Sequence, residues 1–233
     1  MKLLKRIIFL LTIIIILLIN VYTKDNKIYY ISLGDGLSLG VNSNNYISNG
    51  YSDYIKEYLE NNKRLKFYTK EFSKEDARIT DIINDIKNNR EITIDNKKIT
   101  LQYALSKSNI ITISLGLNEI LYKYSNNTNM SYMYDYIDSY IKDMNKLLEL
   151  IGKYNNRTIF ILGYYNPINH QELDKYIIYA NDKLINLCNK NKINYVDLYN
   201  IFKNNNNLIY NINNSYPNSD GYKLIANEIL KKL

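Results

Sequence analysis

Five short runs rich in isoleucine and other β-branched or aromatic residues recur along the chain, at residues 28–33, 65–72, 110–115, 158–162 and 193–198. Each has strand length, and stretches with helical spacing lie between them. "NGYSDYIKEYLENN" puts Tyr51, Tyr54, Ile55, Tyr58 and Leu59 on one stripe, and "RITDIINDIKNN" does the same with Ile79, Ile82, Ile83 and Ile86. "MYDYIDSYIKDMNKLLELIGKY" and "ELDKYIIYANDKLINLCNKN" read as longer amphipathic helices. "SDGYKLIANEILKKL" closes the chain with lysines in its final turn, where the helix dipole favours them. Strands alternating with helices call for a parallel sheet covered on both faces through right-handed crossovers. The expectation is an α/β protein of three layers, α/β/α, with a parallel sheet of about five strands. Two prolines and eight glycines leave no Pro- or Gly-rich linker, so residues 27–233 read as one domain with a sizeable core.

Sheets of this kind hold their sites at the carboxyl ends of strands. Two glycine-bearing turns fall there: "YISLGDGLSLG" at residues 30–40 and "LGLNE" at residues 115–119. The first has the outline of the strand-to-helix turn that presents the nucleophile in serine hydrolases, yet Gly36 stands where the nucleophile belongs.

The start of the chain carries Lys2, Lys5 and Arg6, then an apolar run from Ile7 to Ile19. The run is short for a spanning helix, which needs about 20 apolar residues, and long for a signal-peptide core. No Ala-x-Ala-like site and no lipidation cysteine follow it. Residues 1–26 therefore read as an uncleaved signal anchor with a short linker, a cleaved signal peptide being the alternative. The basic flank stays cytoplasmic, which gives a single-pass membrane protein with its domain extracytoplasmic, or a secreted one after cleavage. The net charge of +7 comes from bases scattered among acids, without the basic block or aromatic-basic stripe of nucleic-acid binders, so no nucleic-acid partner is expected. Cys188 falls on an apolar helix face and reads as a buried, inert thiol. With one histidine and one cysteine far apart, no metal-ligand spacing exists, and no cofactor is implied.

Four segments in order carry a resemblance to a known family: "YISLGDGLSLG", "ISLGLNEI", "IFILGYYNP" and "NNSYPNSDGYKLIANEIL". Together they resemble the SGNH/GDSL hydrolases, which are esterases, lipases and deacetylases on a flavodoxin-like three-layer fold. The resemblance covers nearly everything from Lys27 to Leu233. It implies a serine nucleophile at position 36, an Asp at 213 and a His at 216. This chain has Gly36, Asn213 and Tyr216 instead. The second block of the family supplies an oxyanion-hole glycine, whereas "FSKEDARITD" offers Lys74, Glu75 and Asp76. The third block is kept in Gly116 and Asn118, with Glu119 in place of the usual Asp.

Chemistry says what these departures mean. Glycine has no oxygen with which to form an acyl-enzyme. Tyrosine, with a reference pKa near 10, is a poor general base at neutral pH. Asn213 is neutral and cannot stabilise an imidazolium. Losing a triad member typically costs about 10⁴- to 10⁶-fold in rate, and here all three are absent together. The chain therefore reads as a membrane-anchored pseudoenzyme whose former oxyanion pocket (Asp35, Gly116, Asn118, Tyr216), or tyrosine-rich surface, binds a glycan, lipid or surface-protein ligand. The alternative is an active esterase or deacetylase with replacement residues, and a purely structural surface protein is a third reading. Ser215 and His170 are the weak rescue candidates; Ser32 and Ser38 are expected to point elsewhere. Asp35 and Glu119 are expected to make structural hydrogen bonds.

Overall fold

The computed structural model describes residues 5–15, 27–42, 44–126, 130–154, 157–209 and 216–233. Residues 5–15 form α1. The chain then runs through β1 (Ile28–Gly34), α2 (Gly36–Leu39), α3 (Tyr51–Asn61), β2 (Leu65–Thr69), α4 (Ile79–Lys87), β3 (Glu91–Ile94), β4 (Lys97–Thr100) and α5 (Leu101–Lys107). It continues with β5 (Ile110–Ser114), α6 (Leu117–Asn126), α7 (Met133–Gly152), β6 (Thr158–Leu162), α8 (Gln171–Asn191), β7 (Asn194–Val196), α9 (Leu198–Lys203) and α10 (Ser219–Leu230).

The main sheet has five strands in the order β2-β1-β5-β6-β7, every pair parallel. Alternation along β1 sorts its side chains between two cores. Ile31 and Leu33 join Ile111, Ile113 and Ile161 under α4, α7 and α8. Tyr30 joins Phe160 and Leu162 under α3 and α10. The three expected layers are present. Counting only the strands of this sheet, the order is 2-1-3-4-5, which places the topological switch between β1 and β5. Gly34 pairs with Ser114 in register, so both glycine-bearing turns leave the sheet side by side.

Some elements differ from the sequence reading. The second strand stops at Thr69 and the fifth covers only Asn194–Val196. An additional antiparallel hairpin, β3–β4, precedes α5. Its two-residue turn, Asp95-Asn96, takes φ values of 49° and 61°, as a type I′ turn requires. The turn after β5 runs straight into α6.

The expected anchor is described only in part. The described helix at residues 5–15 is exposed along its length, with Phe9 66% and Leu10 58% accessible. Among the described residues, no helix is long and apolar enough to cross a membrane. The rest of the 1–26 segment, and the site candidates Asn213 and Ser215, lie outside the described residues.

Candidate functional site

The site grows from the end of β1. Gly34 has φ 151°, and a Cβ there would come within 2.5 Å of Ser114 Oγ and 2.8 Å of Ser38 Oγ, so the close approach of β1 to its neighbours depends on glycine. Asp35 caps the single turn of α2: its Oδ1 accepts from Leu37 N at 3.0 Å and from Ser114 Oγ at 2.8 Å. Burial pushes the Asp35 carboxyl up to about 7, against the lowering effect of those two donors. It is thus a structural carboxyl, as the sequence suggests, with a titration displaced toward neutrality.

Ser38 and Ser32 face inward. Ser38 Oγ donates to Leu33 O at 2.9 Å and lies 2.9 Å from Ser114 Oγ and 3.0 Å from Tyr51 OH. Ser32 Oγ lies 3.0 Å from the same phenol. Both serines are fully buried, and neither lines the cleft.

The two positions a serine hydrolase needs most are occupied by the chain itself. A Cβ built on Gly36 would overlap the hydroxyl and Cζ of Tyr216 and lie 2.7 Å from its Cε1. The Tyr216 ring therefore fills the volume where a side chain at position 36 would begin. Burial, with Asp35, Glu75 and Asp76 nearby, holds its phenol above the ordinary tyrosine range, so it is a proton donor at neutral pH. An oxyanion hole consists of N–H donors aimed at one shared oxygen. Here Gly36 N donates to Glu75 O at 2.9 Å, and Asn118 Nδ2 reaches the same oxygen at 3.4 Å. A main-chain carbonyl sits where those donors converge. Lys74 N in turn donates to Gly34 O at 3.1 Å, which ties this segment to the end of β1.

Asp35, Asn118, Tyr216, Tyr164, Tyr165 and Ser114, with four apolar residues and Gly163, line a cavity of about 20 Å³. That is room for about one water molecule. Gly116, at φ 110°, is not in the lining; a Cβ there would overlap the Tyr164 hydroxyl, so its glycine lets Tyr164 pack against the turn. Glu119 is buried behind the cleft rather than flanking it. Its Oε1 accepts from Ile79 N at 2.9 Å, joining α6 to α4, and burial raises its pKa. His170 leads into α8 and its Nδ1 lies 2.6 Å from Tyr124 OH, away from the cavity lining. Cys188 is buried and burial pushes its thiol up to about 12.

The structure thus joins Asp35, Asn118 and Tyr216 in one cleft, sets Gly36 against the Tyr216 ring, and leaves Gly116 and His170 out of the lining. The sequence reading missed Tyr164, Tyr165, Ser114 and the Glu75 carbonyl. The first two are visible in "GYYNP" at the end of β6, a carboxyl-end position like the others. The carbonyl has no side-chain signal at all.

A family model for GDSL-like lipase/acylhydrolase matches residues 30–229. Among solved structures, the chain is similar to the lipase Lip_vut3 from a goat rumen metagenome, with a TM-score of 0.73 at 22% identity, covering 87% of this chain and 95% of that one. It is similar to Axe2, an acetylxylan esterase from Geobacillus stearothermophilus, with a TM-score of 0.65 at 12% identity, covering 87% and 92%. It also resembles a member of the lipolytic protein G-D-S-L family from Veillonella parvula DSM 2008, with a TM-score of 0.58 at 18% identity, covering 87% and 96%. No curated protein matches.

Proposed function

The chain belongs to the GDSL-like lipase/acylhydrolase family, and on that premise we propose that it is a membrane-anchored, extracytoplasmic pseudoenzyme that binds a glycan, lipid or protein partner without hydrolysing it. One observation carries this reading: the cleft is filled from within, by the Tyr216 phenol against Gly36 and by the Glu75 carbonyl between Gly36 N and Asn118 Nδ2. A substrate carbonyl would have to displace both, and would then meet no side-chain oxygen at position 36. The remaining cavity takes about a single water, so a ligand binds at the rim or after Tyr216 has moved. The basic start and apolar run of residues 1–19, with the exposed apolar face of α1, support the anchor.

A second reading is an active SGNH-type esterase or deacetylase with replacement residues. Asp35 favours it, as a carboxyl titrating near 7 in the lining of the same cavity.

The test uses the full chain in detergent, its turnover of short acyl esters, and its labelling by a fluorophosphonate. It is run beside the triple variant Gly36→Ser, Asn213→Asp, Tyr216→His. The natural protein is expected to show neither turnover nor labelling, and the triple variant to be labelled. Turnover by the natural protein that vanishes in Asp35→Asn would instead establish the second reading.

A further inference from the structure

The opposite end of the sheet carries a groove of about 470 Å³ that the family's chemistry does not use. It opens at the amino ends of β1 and β2, between them, the β3–β4 hairpin and the end of α5. Four lysines line it (Lys66, Lys97, Lys98 and Lys107), against a single acid, Asp95. All four lysines are exposed. Lys98 also pairs at 2.8 Å with Glu91 on the neighbouring strand. Lys27, Lys63 and Arg64, all exposed, stand at the same end of the sheet, where Ile28 N donates to Arg64 O at 2.7 Å.

Aromatic rings share the groove with these charges. Tyr29 and Phe67 pack at 5.9 Å between ring centroids, and Tyr103 is 54% exposed with Lys107 Nζ 5.8 Å from its ring. Cations with tyrosines at their side are the residue types that settle at the headgroup level of a bilayer.

On the anchored reading, the chain itself brings this face to a membrane. Ile28, the first residue of β1, follows the apolar run ending at Ile19 by nine residues, which span about 30 Å at most when fully extended. A basic face held that close to a bilayer is drawn to anionic headgroups within about a Debye length. We propose that the groove at the amino end of the sheet binds the phosphate-bearing headgroups of anionic lipids in the membrane that holds residues 1–19. It rests on the anchored reading above. The cleft at the carboxyl ends of the strands then points away from the bilayer.

The test places the full chain with vesicles of phosphatidylcholine, alone or mixed with phosphatidylglycerol. It reads flotation and the amine modification of individual lysines by peptide mass. Expected are flotation with both vesicles and several-fold protection of Lys66, Lys97, Lys98 and Lys107 with phosphatidylglycerol only, reversed by salt, while Lys146 stays equally reactive. Each lysine near an anionic surface strengthens binding about 5-fold. Lys66→Glu with Lys97→Glu should therefore weaken the phosphatidylglycerol-dependent part of flotation by at least about 10-fold.

Flotation with both vesicles but equal modification of these lysines overturns the headgroup site and leaves the anchor standing. Failure to float with phosphatidylcholine, with salt-sensitive protection by phosphatidylglycerol, overturns the anchor and leaves the headgroup site standing. No flotation with either overturns both. Equal protection by inorganic phosphate in phosphatidylcholine vesicles identifies a soluble anion instead and overturns the lipid assignment.

Discussion

A serine at position 36 would need volume that the Tyr216 phenol fills, because a Cβ on Gly36 falls within the hydroxyl end of that ring. The two residues are therefore coupled through packing. Gly36→Ser alone is expected to destabilise the fold by about 1–3 kcal/mol, the usual penalty of overpacking. Combination with Tyr216→His should restore most of that loss, giving a clear interaction term in a urea-melt double-mutant cycle. Additive effects would show that the ring does not hold this place. Asp35 makes a second prediction. Its folded carboxyl titrates near 7, above its ordinary 3.8, so the native state holds its proton more tightly than the unfolded chain. Its stabilising effect is complete below about pH 4 and is lost as pH rises through 7. The span amounts to something on the order of 4 kcal/mol. Asp35→Asn keeps an acceptor for Leu37 N and Ser114 Oγ without the charge. It should match the parent near pH 4 and exceed its stability at pH 8, with a flatter profile by chemical denaturation. Glu119 shifts in the same direction, so some of the decline remains. At this scale, Gly36 and Tyr216 were legible because a residue of an unexpected type stands in a recognisable frame. The Glu75 carbonyl was not, since every residue owns one and only the path of the chain decides where it points.

Between elements, the Ser38 hydroxyl ties α2 to the sheet and to α3, alongside the bonds of its cap Asp35 to Ser114. Ser38 Oγ meets Leu33 O and Ser114 Oγ on two strands and Tyr51 OH on α3. Ser38→Ala leaves buried partners short of a bond and should cost about 1–3 kcal/mol in unfolding free energy. Ser106→Ala, at an exposed position on α5, should fall within about 0.5 kcal/mol of the parent. An equal, small effect at both would mean that the ladder does not tie α2 down. The three central strands, β1, β5 and β6, were legible because burial on both faces demands continuous apolar, β-branched runs; the edge strands β2 and β7 are only partly buried, and their bounds were overread. The hairpin β3–β4 was not read, because its strands, "EITI" and "KKIT", are short and half polar. Its Asp-Asn turn was the signal available, since both residues tolerate positive φ. Helix α6 was hidden for another reason: its first residues were read as part of the Gly-x-Asn block, although the stripe continues through Ile120, Leu121 and Tyr124.

Across the whole molecule, the two ends of the sheet differ in chemistry. The carboxyl end has a cleft closed by tyrosine, and the amino end a lysine-rich groove beside the start of β1. Tyr29 in the groove and Asp35 in the cleft are six residues apart along β1, about 20 Å at 3.3 Å per residue. On the membrane-anchored reading proposed above, that distance can be measured on the protein bound to vesicles. Its one natural thiol, Cys188, is buried and raised to about 12, so an added surface cysteine will take a dye selectively. Tyr46, 71% exposed in the loop between α2 and α3, reports the cleft end, and Ser106 beside Lys107 reports the groove end. Energy transfer to acceptor-labelled headgroups should be strong from a dye at Ser106→Cys and clearly weaker from one at Tyr46→Cys, in phosphatidylglycerol vesicles at low salt. Because exposed charges are screened over about 10 Å at 0.1 M salt, the proposed headgroup contact requires that raising the ionic strength weaken the Ser106 signal most. Equal transfer from both positions at low salt would mean that the domain has no fixed face toward the bilayer, and the geometric separation of anchor from cleft would have no functional meaning.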